Sequence, residues 1–279
     1  MISLNEFNAN QAEYRLWEKK EDSTLIYSYP ASDKKSNGAV IIFAGGGYMR
    51  KAEFEGKGYA QFLNENGINA FVVDYRVSPN IFPAQLVDAR RAVRFVRYYS
   101  EKFGIDASKI AVMGSSAGGH LAALVSTYRD KIDCEGVDEI DNEDYIPNLQ
   151  ILCYPVINLS DEAIRHEGSA INLLGKDNLD FVKNVSPDLI ADEKTPRAFI
   201  WHTATDGAVN VINSYNYASA LRRHKIPVEL HVFPAGDHGL GLGHGNQYAD
   251  AYPVELQNHV SQWNALLFNF LRFIGFLNK

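Results

Sequence analysis

Two kinds of apolar pattern alternate along this chain. Short runs in which every position is apolar, such as AVIIF at 39–43, are typical of strands buried on both faces of a sheet. Other segments carry apolar residues every three or four positions, as Leu86, Val93 and Val96 do, and this spacing is typical of a helix with one buried face. The patterns predict strands at 24–29, 39–43, 69–75, 109–113, 149–157, 197–203 and 227–233, and helices at 53–67, 83–103, 116–128, 214–225 and 263–279.

Strands that alternate with helices across short connections predict an α/β fold. We expect a mostly parallel sheet with helices on both faces, in a single domain over residues 1–279. The strand at 24–29 precedes the first crossover and is expected to run antiparallel at the sheet edge. Residues 158–196 are too long for a plain connection and are a candidate for a small cap or lid over a pocket.

Composition and charge narrow the class of protein. The chain has 279 residues, of which 46% are hydrophobic, and a formal net charge of −7. Acidic chains repel phosphate backbones, so a nucleic-acid partner is disfavoured. The N-terminus lacks the basic start and apolar core of a signal peptide, and Asn269 and Arg272 interrupt the apolar segment at 263–279. We therefore predict a cytoplasmic protein without membrane contact.

Two charged segments are predicted to face solvent. One is the acidic stretch at 129–148, whose carboxylates lack the spacing of a calcium loop. The other is a stripe of arginines on the helix at 83–103: Arg90, Arg91, Arg94 and Arg97. The two cysteines, Cys134 and Cys153, are too few for a disulfide framework or a metal cluster, so we expect free thiols.

The stretch GSSAGG at 114–119 lies where a predicted strand meets a predicted helix. Gly114, Ser116 and Gly118 fit the pattern G-x-S-x-G, in which a serine stands on a sharp strand-to-helix turn with its hydroxyl exposed. Ser115 does not fit, because the residue two positions before it is Met113. Ser116 is therefore the candidate nucleophile, although this pentapeptide alone is also compatible with a structural turn.

A serine nucleophile needs a base, and the base needs an orienting carboxylate. In this topology the serine, the acid and the histidine follow one another along the chain, each on a loop after a strand. Asp206 follows the strand at 197–203, and His238 follows the strand at 227–233. These two residues complete a candidate triad with Ser116.

Four other acidic or histidine residues are also candidates for these roles. Asp161 follows the preceding strand and is an alternative acid, and His244 lies on the same loop as His238 and is an alternative base. His120 and His202 are expected to be structural histidines, since half-buried histidines with satisfied hydrogen bonds are common.

Three consecutive glycines, Gly45 to Gly47, follow the strand at 39–43. Glycine lets the backbone approach a ligand closely and leaves N–H groups free to point at it. The N–H groups of this loop, with that of Ala117, would hold a tetrahedral oxyanion. A dinucleotide fingerprint is excluded, because Arg50 stands where the third glycine of G-x-G-x-x-G is required.

These stretches resemble α/β-hydrolases of the esterase/lipase group, closest to bacterial acetyl esterases and acetyl-xylan-esterase-like carbohydrate esterases. The resemblance spans nearly the whole chain and rests on FAGGGY, GSSAGGHLAA, WHTATDGAVN and PAGDHGLG, among others. It implies the α/β-hydrolase fold and six functional residues. These are the triad Ser116, Asp206 and His238 and the oxyanion donors Gly46, Gly47 and Ala117.

Two positions depart from the family pattern without removing a catalytic group. Ala44 precedes the glycines where relatives often have His or Pro, and Asn210 stands where relatives often have Pro. Arg76 is expected to brace a loop through an ion pair rather than contact a substrate. Three aromatic residues are candidates for lining the pocket or for core packing: Tyr48, Tyr75 and Phe82.

The sequence thus predicts a serine esterase, and the resemblance implies that it removes a short acyl group, such as acetate, from a sugar or another small ester. No metal or organic cofactor is expected. One alternative is a serine peptidase of the prolyl-oligopeptidase type, which usually carries a large extra domain. The other is a non-catalytic ligand-binding protein on the same fold, which the complete triad disfavours. Nothing in the sequence indicates an oligomeric state.

Overall fold

The computed structural model describes residues 12–17, 24–132 and 138–277, and within them the strands form one sheet. The strands are β1 (Glu13–Arg15), β2 (Leu25–Tyr29), β3 (Ala39–Phe43), β4 (Asn69–Val73), β5 (Ile110–Ser115), β6 (Leu149–Cys153), β7 (Arg197–Thr203) and β8 (Val228–Phe233). Their order is β1-β2-β4-β3-β5-β6-β7-β8. The pairs from β4 and β3 through β8 are parallel, whereas β2 runs antiparallel to both β1 and β4.

Helices pack on both faces of this sheet. They are α1 (Glu53–Glu65), α2 (Ala84–Tyr98), α3 (Ser100–Phe103), α4 (Ser116–Thr127), α5 (Glu167–Leu174), α6 (Pro187–Ile190), α7 (Ile212–Arg223), α8 (Val254–Val260) and α9 (Gln262–Phe273). Alternate residues of β3 enter two separate apolar clusters: Ile41 and Phe43 pack with residues of α2 and α4, and Val40 and Ile42 pack with residues of α1 and α9. Burial on both faces explains why β3 is apolar throughout.

The predicted parallel α/β architecture is confirmed, with one correction at the sheet edge. β2 is antiparallel as expected, but it is not the edge strand, because the three residues of β1 pair along its outer side. β1 has a single buried position, Tyr14, between two exposed ones. So short a pattern is too weak to predict a strand.

The arginine stripe of α2 does not face solvent, contrary to the prediction. Arg91 is almost fully buried, and its guanidinium lies 2.6 Å from Oδ1 of Asp138 and 2.9 Å from Oδ1 of Asp141. Arg90 lies 4.0 Å from the centre of the Tyr145 ring. The acidic stretch at 129–148 therefore supplies the counterions of the stripe, and its prediction as a purely solvated loop is also wrong. Neither the arginine spacing nor the acidic composition indicates this contact, because the two segments are far apart in sequence.

Arg76 forms an ion pair with another residue of the protein, as expected from the sequence. Its Nη2 lies 2.7 Å from Oδ1 of Asp88, whose side chain is fully buried, and the backbone N–H of Arg76 also donates to Asp88 at 2.8 Å. This contact joins the chain after β4 to α2.

The two cysteines lie in different situations. Cys153 ends β6 in the core, where burial raises the pKa of its thiol to about 12. Cys134 lies outside the described residues. No helix in the described part of the chain has the length and apolarity of a membrane span, and the cytoplasmic location stays a prediction.

The long segment at 158–196 contains α5, a 3-10 helix at Lys176–Val185 and α6. It is fastened to the rest of the chain at several points. The N–H of Phe82 donates to the carbonyl of Leu173 at 2.6 Å, and Arg129 forms an ion pair with Asp192 at 2.9 Å. Leu173 lies in the middle of the segment and Asp192 lies near its end. The segment is therefore held to the rest of the protein by contacts along its length as well as by its two chain connections.

Candidate active site

Ser116 stands on the sharp turn between β5 and α4. Its φ angle is +54°, a left-handed conformation that non-glycine residues seldom adopt. A Cβ atom added to Gly114 would lie 2.2 Å from the carbonyl oxygen of Gly118, and one added to Gly118 would lie 2.0 Å from that of Phe43. Both glycines of the G-x-S-x-G pattern are therefore required by close backbone packing around the serine.

The structure brings the three predicted triad residues together. Oγ of Ser116 lies 2.8 Å from Nε2 of His238, and Nδ1 of His238 lies 2.7 Å from Oδ2 of Asp206. The serine follows β5, and the acid and the histidine lie on the loops after β7 and β8. These strands belong to one parallel sheet, so their carboxyl ends bring the three side chains to the same edge.

Asp206 is surrounded by hydrogen-bond donors. Its Oδ2 accepts from His238 and, at 3.2 Å, from Nε2 of His202, while its Oδ1 accepts from the backbone N–H groups of Ala208 and Val209 at 2.9 and 2.8 Å. Burial by itself would raise the pKa of the carboxyl, but the hydrogen bonds from His202 and His238 outweigh burial and hold that pKa well below its usual value. Asp206 is thus held as a carboxylate that can orient an imidazole.

The alternative acid and base are not part of this arrangement. Asp161 uses its Oδ1 to accept the N–H of Ala163 at 3.0 Å, and His244 is exposed. Within the described residues neither side chain forms a hydrogen bond with Ser116 or His238. The geometry therefore favours Asp206 and His238 for these roles.

The neighbouring serine and the structural histidines support the site from the core. Oγ of Ser115 lies 2.9 Å from the hydroxyl of Tyr59, whereas the hydrogen bond to His238 is formed by Ser116. His120 bonds the hydroxyl of Tyr48 through Nδ1 and the carbonyl of Val185 through Nε2, both at 2.7 Å. Burial lowers the pKa of His120 to about 4, so the ring is neutral at pH 7.

The three glycines after β3 form a loop beside Ser116. Gly46 and Gly47 have φ angles of +135° and +66°, and among the described residues their N–H groups donate to no protein acceptor. The carbonyl of Gly47 is held by Nδ2 of Asn172 on α5 at 2.8 Å. Ala117 is the second residue of α4, where an N–H has no acceptor inside its helix. The three predicted oxyanion donors are therefore free to bind a developing negative charge.

For two of the three aromatic candidates, the structure favours core packing over lining a pocket. Tyr48 and Tyr75 are fully buried and do not line an open pocket. The hydroxyl of Tyr75 donates to the carbonyl of Ala44 at 2.6 Å, so this ring supports the glycine loop from inside the core. Phe82 is half-buried and packs on Phe181 of the segment 158–196, with ring centres 5.5 Å apart.

His166 lies at the site and was missed by sequence reasoning. It caps α5, where its Nδ1 accepts the N–H of Ser169 at 3.1 Å, which places the ring proton on Nε2. Its Cε1 lies 4.0 Å from the position of a Cβ added to Gly47. Burial and then the charge of His238 lower the pKa of His166. No motif marks this residue, since it lies in the segment that the strand and helix pattern leaves unassigned.

Glu55 and Tyr154 also lie at the site outside any motif. Oε2 of Glu55 accepts the N–H of Gly45 at 2.8 Å, and the Tyr154 ring meets the His238 ring edge to face, with centres 5.1 Å apart. The sequence offers only a weak signal for Glu55, an acidic residue whose spacing places it on the buried face of α1.

The fold and the site together define an α/β-hydrolase of the esterase group. The chain belongs to the BD-FAE family, whose profile matches residues 26–221. A solved structure of an acetyl ester-xyloside bifunctional hydrolase from Caldicellulosiruptor lactoaceticus superposes with a TM-score of 0.84 at 39% identity, covering 95% of this chain and 97% of that one. The resemblance to acetyl-xylan-esterase-like α/β-hydrolases is thereby confirmed.

Curated relatives point to the same group of enzymes. The chain is 32% identical over 232 residues to an acetylxylan esterase of Xylanibacter ruminicola, covering 81% of this chain and 46% of that protein. It is 34% identical over 220 residues to endo-1,4-beta-xylanase B of Butyrivibrio fibrisolvens, covering 77% of this chain and 34% of that protein. The chain thus spans from a third to about half of the length of these curated relatives.

Proposed function

We propose that this chain is a serine carboxylesterase that removes acetyl and other short acyl groups from esterified sugars. The observation that carries the proposal is the chain of two hydrogen bonds from Ser116 Oγ through His238 to Asp206. This chain lies beside the N–H groups of Gly46 and Gly47, which have no protein acceptor among the described residues. This arrangement contains a nucleophile, a base, an orienting acid and an oxyanion site.

Acylation follows from the geometry. Nε2 of His238 takes the proton of Ser116 Oγ as the oxygen attacks the ester carbonyl, and the carbonyl oxygen becomes an oxyanion. The N–H groups of Gly46, Gly47 and Ala117 bind this oxyanion. The imidazolium then gives its proton to the leaving alcohol oxygen, which leaves the acyl group on Ser116.

Deacylation uses the same groups, with water as the nucleophile and Ser116 Oγ as the leaving group. His238 takes a proton from a water molecule, the resulting hydroxide attacks the acyl carbonyl, and Ser116 Oγ leaves with the proton returned by the imidazolium. The products are a carboxylic acid and the regenerated serine. Asp206 stays ionised throughout and stabilises the imidazolium in both steps.

The substrate class rests on the relatives and on the chemistry of the site. The relatives include an acetylxylan esterase, an acetyl ester-xyloside hydrolase and an ethyl acetate hydrolase of Pseudomonas putida. Acetylated xylo-oligosaccharides are therefore the substrates to test first.

We also propose that residues 158–196 form the cap of the site. Asn172 of this segment holds the carbonyl of Gly47, and His166 lies beside the same glycine. A substrate bound at Ser116 would therefore lie against this segment, and its side chains would help select the alcohol part of the ester.

Replacing the nucleophile tests the proposal most directly. In Ser116→Ala we expect kcat for 4-nitrophenyl acetate to fall by about 10⁶-fold and fluorophosphonate labelling to disappear, because the acyl-enzyme can no longer form. Ser126→Ala is the matched control, since Ser126 lies on the same helix and its Oγ donates to the carbonyl of Ala122, its one hydrogen bond among the described residues. Near-parental hydrolysis by Ser116→Ala would show the assignment to be wrong.

A substrate panel separates ester hydrolysis from the alternatives. We expect acetate esters and acetylated xylo-oligosaccharides to be hydrolysed faster than octanoate esters and peptide amides. Cleavage of a proline-containing peptide at a higher kcat/KM than any ester would favour a peptidase. Absence of both hydrolysis and fluorophosphonate labelling in the parent protein would favour a non-catalytic binding protein.

A further inference from the structure

Glu55 is a buried carboxyl group that no triad or oxyanion motif includes. It lies in the first turn of α1 and is 3% exposed, so its position is set by contacts inside the protein. Burying a carboxyl is costly unless its oxygens are hydrogen-bonded. Its partners therefore indicate what the group does.

Each oxygen of Glu55 reaches a different loop of the site. Oε2 accepts the N–H of Gly45, at 2.8 Å, where the glycine loop begins. Oε1 accepts the hydroxyl of Tyr154 at 2.7 Å, and that hydroxyl also accepts the N–H of Gly241 at 3.0 Å. Gly241 belongs to the loop that carries His238. Through Tyr154, the carboxyl joins the glycine loop to the histidine loop.

The glycine loop is shaped to admit this carboxyl. A Cβ atom added to Gly45 would lie 2.5 Å from Oε2 of Glu55, so only glycine lets the oxygen come close enough to accept the N–H. The first glycine of the three thus has a separate use from Gly46 and Gly47.

Tyr154 carries the effect of Glu55 to the catalytic imidazole. Its ring packs edge to face on the His238 ring at 5.1 Å, and its own φ angle is +37°, a conformation held by the residues around it. The Tyr59 hydroxyl lies 3.3 Å from that of Tyr154 and 2.9 Å from Oγ of Ser115, next to the nucleophile. The network therefore touches all three parts of the catalytic arrangement.

We propose that Glu55 is a positioning residue, whose carboxylate holds the oxyanion loop and the His238 loop in register and adds a second negative charge near the imidazolium. This proposal rests on the proposed esterase function. Among the described residues Glu55 forms no hydrogen bond with Ser116 or His238, so it acts through Gly45 and Tyr154. Both contacts present donors to the carboxyl, which is the arrangement that favours its ionised form.

Electrostatics supports this role. Burial raises the pKa of Glu55, while the hydrogen bond from Tyr154 and the charge of His238 oppose that rise. Interaction between two titrating groups is reciprocal, so a charge on Glu55 also favours the protonated form of His238. Groups that face or act on the pair from other elements are Asp206, His166, Tyr154, Tyr75, Cys153 and Arg50.

Glu55→Gln tests the charge while it keeps an oxygen that can accept the N–H of Gly45. We expect kcat for 4-nitrophenyl acetate to fall about 10- to 100-fold with KM changed less than about threefold, because the lost interactions act in the transition state. The acid limb of kcat/KM against pH, which reports His238, should move down by about half a unit to one unit. Glu53→Gln is the matched control, since it removes the same charge from an exposed position of the same helix.

Tyr154→Phe tests the link between Glu55 and the histidine loop. It removes the hydroxyl that joins Glu55 to Gly241 and keeps the ring against His238. We expect kcat to fall about tenfold. Tyr217→Phe is the control, because it deletes a fully buried hydroxyl that bonds Gln150, away from the site. Thermal unfolding of each variant identifies any that fail to fold.

Distinct results contradict the proposal and the function on which it rests. If Glu55→Gln has the same kcat and the same acid limb as Glu53→Gln, the proposed role of Glu55 is wrong. The proposed esterase function would still stand in that case, provided that the parent protein hydrolyses esters. A rate loss without a shift of the limb also overturns the proposal, since it would show a disturbed loop and no electrostatic contact with His238. Parental activity in Tyr154→Phe overturns the link between the loops. Absence of esterase activity in the parent protein contradicts the proposed function instead.

Discussion

Two buried carboxyl groups are connected to the His238 ring, one directly and one through Tyr154, and the pKa values of the two are shifted in opposite directions. Asp206 accepts four N–H groups, two of them from histidine rings, and its pKa lies well below the usual value. Glu55 accepts two donors, and burial raises its pKa. The number of donors around a buried carboxyl therefore decides the sign of its pKa shift here, since burial opposes the charge in both cases.

The difference also concerns what each group contacts. Asp206 bonds Nδ1 of His238 directly and so selects the ring tautomer that leaves Nε2 available to Ser116. Glu55 reaches the ring only through Tyr154. Direct contact makes Asp206 part of the proposed chemistry, whereas Glu55 holds the parts around it.

The largest expected effect comes from removing the direct contact. Asp206→Asn should lower kcat for 4-nitrophenyl acetate by about 10⁴-fold, because an amide cannot orient and stabilise the imidazolium as a carboxylate does. Steady-state rates at pH 7 measure this loss. If Asp206→Asn loses no more activity than Glu55→Gln, the distinction between a direct and an indirect carboxylate is wrong.

A smaller effect is expected when Asp206 loses one of its four donors. His202→Phe keeps a ring in a fully buried position and removes the Nε2 donor, so kcat should fall about tenfold and folding stability by roughly 1–3 kcal/mol. Steady-state rates at pH 7 and urea unfolding measure the two effects. His231→Phe is the matched control, because His231 pairs with Glu229 on β8 and does not contact Asp206. Equal results for the two variants would contradict a role for His202 in holding the acid.

The smallest effect concerns the dependence of folding stability on pH. The contributions of the two carboxyl groups to this dependence should have opposite signs. The depressed pKa of Asp206 contributes stability above its unfolded pKa of about 4, and this contribution is lost as the pH falls toward the folded value. The raised pKa of Glu55 costs stability above about pH 4, because the folded chain holds its proton more tightly than the unfolded chain.

Two isosteric variants measure this difference. As the pH rises toward about 4, the stability of Asp206→Asn relative to the parent should fall by on the order of 1 kcal/mol. As the pH rises above about 4, the stability of Glu55→Gln relative to the parent should rise. Urea unfolding at a series of pH values provides the data. The same sign of change in both variants would contradict the contrast between the two groups.

Periodicity was enough to predict most of the fold, and a short motif with the order of the strands was enough to select the candidate triad. The apolar run at 39–43 and the helical spacing after Pro83 each match an observed element, β3 and α2. Ser116, Asp206 and His238 were each predicted from a strand-to-loop position, and the structure brings their side chains into hydrogen-bond contact. Such local patterns suffice because a parallel sheet delivers the ends of its strands to one edge, whatever the details of packing.

Partners that are distant in sequence could not be predicted in this way. The arginine stripe and the acidic stretch were each assigned to solvent, and only the fold shows that Arg91 is buried against Asp138 and Asp141. Tyr48 and Tyr75 were candidates for lining a pocket or for core packing, and only the fold shows that their hydroxyls form hydrogen bonds in the core.

Glu55 shows the same limit most clearly. By itself the sequence determined a parallel α/β sheet, a serine on a strained turn and the order of an acid and a histidine after it. Only the tertiary structure decided that a glutamate of α1 accepts the first glycine N–H and a tyrosine that follows β6. The physical reason is that burial and hydrogen-bond partners depend on which segments pack together, and the spacing of residues along one segment carries no information about the segment packed against it.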